Sequence, residues 1–204
     1  MNAAPERELV AAVLAGGGSS RFGSDKSQVT LEGVRTIDRV VGAAMGVASF
    51  VVVVGGDGPL SEDARIRIPD SVPGGGPVQA VLSAFRAMPG KDLLILACDL
   101  PLLTPGHLHY LARPLGGDKE ARVPRISAYP QPLSALYRAE CGEVFERCWG
   151  SGVRSMREVL EHLKVDWIDA QTFQEEGLEV GQLADFDTPE DLARLRELVS
   201  PQKE

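Results

Sequence analysis

The chain has 204 residues, 44% hydrophobic and 25% charged, enough for one domain with a single sizeable core. Lys and Arg number 21 against 29 Asp and Glu, a formal net charge of -8, which speaks against a protein that grips a nucleic-acid backbone along a basic stripe. No apolar run approaches the roughly 20 residues of a membrane span, and MNAAPERE lacks a basic-then-apolar leader pattern, so a soluble cytoplasmic protein is expected.

The first apolar run, Leu9 to Leu14, is rich in Val, Ala and Leu and reads as a strand buried on both faces. LAGGGSSRFGSDK follows, Leu14 to Lys26, where three consecutive glycines let the backbone approach a ligand, free N–H groups can cradle phosphate, and Arg21 and Lys26 supply positive charge. It is not a Walker loop, because Gly23 is followed by Ser24, Asp25 and Lys26, and not a dinucleotide fingerprint, because Arg21 stands where glycine is required. An amphipathic stretch, Ile37 to Val47, predicts a helix, and Phe50 to Val54 a second buried strand. Asp70 lies past the short run Arg65 to Ile68, and the glycine-rich turn Pro73 to Pro77 opens a helix from Pro77 to Met88, again suited to close ligand approach.

Leu93 to Ala97 predicts the next strand and ends in Cys98, Asp99, Leu100, Pro101. A carboxylate directly after a buried strand suits Mg²⁺ on a polyphosphate, because Mg²⁺ takes one or two protein carboxylates and fills its shell with substrate oxygens. A helix from Pro105 to Leu111, a surface loop from Pro114 to Glu120, a strand from Leu133 to Tyr137, and helices from Glu140 to Trp149 and Val153 to Leu163 follow. In GSGVRSMR, Arg154 and Arg157 are three apart near a helix start, either a solvated charged face or a pair for an anionic acceptor. In DFDTPEDL, Asp185 and Asp187 share a face if extended; they cap the last helix, or Asp187 folds back beside Asp99 as a second metal carboxylate. Thr188 as N-cap, Pro189 at the first helical position and Asp191 as the box partner predict that helix, with Leu192, Leu195 and Leu198 apolar and SPQKE a frayed tail.

Strand–helix alternation of this kind implies an α/β protein, a mostly parallel sheet covered on both faces, with ligands bound outside the carboxyl ends of the strands. Cys98, Cys141 and Cys148 match no zinc or redox spacing, and His107, His109 and His162 do not converge, so neither a zinc site nor a histidine-centred hydrolase is expected.

The constellation resembles the molybdenum cofactor guanylyltransferases. LAGGGSSRFGSDK is similar to their Gly-rich signature, PDSVPGGGPVQAV to their Asp-then-Gly-Pro segment, ACDLPLLTP to their metal-binding Cys-Asp-x-Pro, QPLSALY to their Pro-Leu-x-Ala-Tyr strand, GVRSMREVL to their late Arg-containing helix and DFDTPEDL to their closing motif. The resemblance implies a three-layer α/β/α sandwich of the glycosyltransferase-A-like fold, transfer of GMP from GTP to molybdopterin, and Mg²⁺ as cofactor; the alternatives are a CTP-using cytidylyltransferase of the same cofactor and a nucleotidyltransferase for another phosphorylated acceptor, since nothing in the sequence reads a pterin directly. It implies hand-over to a molybdenum-inserting protein or to apo-molybdoenzymes, with no nucleic acid or membrane involved. By position, Leu14, Ala15 and Gly16 would meet the guanine, Lys26 the phosphates, Asp70 the nucleoside and Asp99 the metal; the residues themselves add Gly17 to the glycine backbone, Asp187 as a second metal carboxylate and Arg154 for the anionic acceptor, with Arg21, Lys26 and Asp99 carrying catalysis. The Asp-x-Asp-Thr-Pro ending is closer to the cytidylyltransferases of the same cofactor, and Gly55–Gly56 stands where some guanylyltransferases have asparagine. Leu14 to Gly17 has the guanylyltransferase form, and Gly16 leaves room for a purine.

Overall fold

In the computed structural model of the protein, the described residues are 8–16, 25–64, 66–72 and 74–199. The predicted Gly17, Arg21 and Pro73 contributions and the SPQKE tail lie outside them.

Ten strands and seven α-helices alternate along these residues. They run β1 (Leu9–Leu14), a hairpin of β2 (Thr30–Leu31) and β3 (Val34–Arg35), α1 (Thr36–Met45), β4 (Phe50–Val54), β5 (Ile66–Ile68), α2 (Gly76–Ala87), β6 (Asp92–Ala97) and α3 (Pro105–Leu111). Then come β7 (Ala121–Ile126), β8 (Tyr129–Pro130), β9 (Ser134–Tyr137), α4 (Cys141–Gly150), α5 (Met156–Leu160), β10 (Val165–Asp169), α6 (Ala170–Glu175) and α7 (Pro189–Val199). The main sheet has the order β10-β7-β9-β6-β1-β4-β5, with β8 attached to β7. Its pairs are parallel except those of β9 and β8, as the alternation implied.

β1 sits in the middle, with Val10 opposite Leu93 and Phe50, and its side chains divide by parity. Val10, Ala12 and Leu14 face a core with Val81, Phe85 and Phe145 from α2 and α4, whereas Ala11 and Val13 face one with Ile37, Val40 and Leu108 from α1 and α3. A strand covered on both faces needs no polar side chain, which is why its sequence reads as an unbroken apolar run. A third, smaller cluster joins Leu31 of the hairpin to Phe186, Leu192 and Leu195, seating α7 beside β2.

Two expectations are corrected. The helix placed at Val153 to Leu163 spans Met156–Leu160. Arg154 lies ahead of it, its guanidinium stacked 3.6 Å from the Trp149 ring centroid and donating to the carbonyls of Trp149 and Val153. Arg154 and Arg157 therefore do not share a helical face. Leu198, placed on the apolar stripe of the last helix, is 67% exposed, because the small cluster ends at Leu195. The capping box is as expected: Asp191 N–H donates to Thr188 Oγ1, while Asp191 Oδ2 accepts from the N–H groups of Asp187 and Thr188. Cys98, Cys141 and Cys148 are free and buried. No helix among the described residues is long and apolar enough to cross a membrane.

Candidate active site

The carboxyl ends of β1 and β6 and the N-terminus of α2 enclose a cleft of about 380 Å³. Leu14, Ala15 and Gly16 form its floor, Lys26 and Asp99 one end, and Asp70, Gly74 and Gly76 the other. The floor is rigid because the ladder continues past the strand. Ala15 N–H donates to the Val54 carbonyl at 2.9 Å, and Cys98 N–H to the Leu14 carbonyl at 3.1 Å.

Lys26 opens a short 3₁₀ turn, Lys26–Gln28, capped by Asp25, whose Oδ1 accepts from Ser27 N–H at 2.9 Å and from Ser27 Oγ at 2.7 Å. Thr36 Oγ1 holds the Lys26 carbonyl from α1 at 2.7 Å. The ammonium thereby reaches two carboxylates that are distant in sequence: Lys26 Nζ lies 3.1 Å from Asp99 Oδ2 and 2.6 Å from Asp187 Oδ1. Burial pulls the Lys26 pKa down, but the hydrogen bonds and charges of Asp187 and Asp99 outweigh it, so the ammonium is held above the ordinary lysine value. Asp187 is delivered by the third apolar cluster, in which buried Phe186 lies under the same ammonium, 5.4 Å away. Asp185 is on the surface, yet its carboxyl is pushed above the usual range by local burial, then by the charges of Asp99 and Asp187.

Two carboxylates that share one cation form a hard-oxygen donor pair of the kind Mg²⁺ uses when substrate phosphates complete its shell. Among the described residues no three His, Cys, Asp or Glu side chains are grouped to hold a metal by themselves. By donor chemistry Asp99 and Asp187 suit such a metal, which would take over carboxylate oxygens that the Lys26 ammonium holds here. Cys98 beside them is not a nucleophile: burial first, then Asp99 and Asp25, push its thiol up to about 12.

At the other end Asp70 is pressed against glycine backbone. A Cβ at Gly16 would lie 2.7 Å from Asp70 Oδ2, and one at Gly55, whose φ is +69°, would lie 2.6 Å from the same oxygen. These two positions must be glycine for the carboxylate to sit where it does. Among the described residues Asp70 Oδ1 is buried without a hydrogen-bond partner, and burial raises the Asp70 pKa. A buried acceptor left without a partner calls for a physical explanation, and a donor on a ligand in the cleft is one.

The structure thus gathers Leu14, Ala15, Gly16, Lys26, Asp70 and Asp99 around one cleft and brings Asp187 to it through Lys26. Arg154 is not among the lining residues; it is held over Trp149, where α4 ends. Sequence reasoning gave no role to Leu133, which lines the cleft from the start of β9, or to Asp25, which lines it and caps the Lys26 turn. Asp25 carried a signal, an acid one residue before a candidate phosphate lysine.

The profile of the MobA-like NTP transferase domain matches residues 11–167. A probable molybdenum cofactor guanylyltransferase from Chloroflexus aggregans is 32% identical, the match covering 88% of this chain and 89% of the relative. Another from Methanothermobacter thermautotrophicus is 32% identical over 74% of this chain and 82% of its own. The crystal structure of molybdopterin-guanine dinucleotide biosynthesis protein A from Archaeoglobus fulgidus superposes with a TM-score of 0.75 at 25% identity, covering 93% of this chain and 97% of that one. With both the sequence profile and the α/β architecture in agreement, the chain belongs to the MobA-like NTP transferase family of nucleotidyltransferases.

Proposed function

We propose that this enzyme transfers GMP from GTP to the terminal phosphate of molybdopterin. One oxygen of that phosphate attacks the α-phosphorus of GTP, the bond from the α-phosphorus to the bridging oxygen breaks, and pyrophosphate leaves with the electron pair. The observation that carries this reading is the two-ended cleft: a cation shared by Asp99 and Asp187 at one end, and at the other glycine backbone with a buried Asp70 oxygen that no described residue pairs. The backbone of Leu14, Ala15, Gly16 and Gly17 meets the guanine, and Asp70 accepts a hydrogen bond from the nucleoside. Lys26 neutralises the phosphates, with Arg21 adding charge from the glycine-rich segment.

Asp99 and Asp187 would hold Mg²⁺, which when bound neutralises the polyphosphate and the pyrophosphate it becomes. The chain's own work is electrostatic: two anions must meet, so fixed cations aimed at the reacting phosphates are the dominant contribution. Proton transfer is a minor demand, since the attacking phosphate oxygen is already anionic. Arg154 is the residue offered to the anionic acceptor. The dinucleotide product would pass to a molybdenum-inserting protein or an apo-enzyme.

A CTP-dependent reading is favoured by one observation, the Asp-x-Asp-Thr-Pro sequence from Asp185 to Pro189. A thermal-shift titration with GTP, CTP, ATP and UTP, with and without Mg²⁺, separates the two. A ligand at 100 times its dissociation constant stabilises the native state by about 2.7 kcal/mol. Selective, Mg²⁺-enhanced stabilisation by GTP is expected; stabilisation by CTP instead would replace the donor, and no response to any nucleotide would overturn the reading.

A further inference from the structure

The loop after β4 begins with two consecutive glycines in the left-handed region, Gly55 at φ +69° and Gly56 at φ +66°. Such a pair has no conformational preference of its own to hold it, because glycine populates many backbone states equally. It is held by Arg67. This residue lies on the edge strand β5, opposite Val53, and its Nη1 donates to the carbonyls of both Gly55 and Gly56 while its Nη2 donates to that of Gly58. One planar guanidinium therefore ties down three carbonyls of one four-residue loop. The fit is close: a Cβ on Gly56 would lie 3.2 Å from Arg67 Nη1 and 3.0 Å from the Ala15 carbonyl oxygen.

The opposite side of the same loop meets the cleft. A Cβ on Gly16 would lie 3.3 Å from Gly55 Cα and from Gly56 N, and Asp70, three residues after Arg67, packs on Gly55. Arg67 itself does not line the cleft. We infer that Arg67 is a positioning residue for nucleoside recognition: by clamping the Gly55–Gly58 carbonyls it fixes the wall against which Ala15, Gly16 and Asp70 are set. The inference rests on the assignment of those three residues to the base and nucleoside. It concerns binding and base selectivity, because the phosphate end, with Lys26 and Asp99, is anchored by other elements.

The test compares wild type with Arg67→Met and Arg67→Lys. It reads KM and kcat for GTP, dissociation constants for GTP and CTP, and hydrogen exchange of the amides in 54–58. Both variants are expected to exchange faster at 55–58, to raise KM about 10-fold or more with kcat within about threefold, and to narrow the wild-type preference between the nucleotides. Lysine should recover little, since a single ammonium cannot fork across three carbonyls. Wild-type KM, selectivity and exchange in Arg67→Met would overturn the inference. So would losses of kcat that track the unfolded fraction, with KM unchanged. If the wild type binds neither GTP nor CTP, the proposed function fails, and the exchange comparison by itself still decides whether Arg67 holds the loop.

Discussion

Replacing Gly55 by alanine tests the packing at the base end of the cleft. The new Cβ would lie 2.6 Å from Asp70 Oδ2 and 3.1 Å from Gly16 Cα, and the backbone there has φ +69°. An L-residue in the left-handed region costs about 1–2 kcal/mol, and overpacking a closed contact costs about 1–3 kcal/mol. The sum, roughly 2–5 kcal/mol, lowers Tm by about 4–20 °C in a chain of this size. Two controls separate the contributions. Gly90, at φ +74° with nothing within 4 Å of its added Cβ, should show the backbone cost without the clash, and Gly42, helical and open, should gain up to about 1 kcal/mol on becoming alanine. Asp70→Ala in the Gly55→Ala background should recover stability, with a coupling of about 1–3 kcal/mol in a double-mutant cycle. Thermal melts of the five variants suffice. A Gly55→Ala cost no larger than that of Gly90→Ala, with no coupling to Asp70, would refute the interlocked arrangement.

Asp70 is raised by burial above the unfolded value of 3.8, so the folded state holds its proton more tightly than the unfolded chain. The penalty for ionising it in place is absent below pH 3.8 and fully present above its folded pKa; Asp70→Asn should therefore raise Tm at neutral pH, by an amount that vanishes as the pH falls towards 3.8, while weakening nucleotide binding. A gain independent of pH would contradict the burial argument. Lys26→Gln leaves Asp99 and Asp187 without their shared cation; turnover, read by pyrophosphate release, should fall about 100-fold or more, and Tm should fall as well because the two carboxylates lose the charge that pairs them. Asp191→Ala removes the acceptor for Asp187 N–H and Thr188 N–H, so α7 should lose about 1 kcal/mol and the Mg²⁺ concentration for half-maximal activity should rise, because Asp187 loses its anchor.

The strands that positioned the cleft were legible because burial on both faces leaves a continuous apolar signature, as in β1, β4 and β6. β7 and β10 were not. Their sequences, ARVPRI and VDWID, carry charges and a proline. Arg122 is buried there because its guanidinium pairs with Asp166 at 2.8 Å and donates to carbonyls at the end of α3. Pro124 is tolerated because its ladder to β9 has already ended at Arg122. At the site, the residues after the strand ends could be named from sequence because α/β sheets bind ligands there. The bridging of Asp99 and Asp187 by Lys26 could not be read, since it depends on how the small cluster around Phe186 turns the chain back. The hold of Arg67 on the glycine loop was equally hidden: one cation in a three-residue edge strand has no pattern to mark it.

The most direct measurement supplies GTP labelled at the α-phosphate together with molybdopterin and Mg²⁺, and follows the label. Label appearing in a pterin dinucleotide, with one pyrophosphate released per transfer and both lost in Asp99→Ala, is the expected result. Transfer from CTP in place of GTP, or turnover that survives Asp99→Ala, would contradict the account.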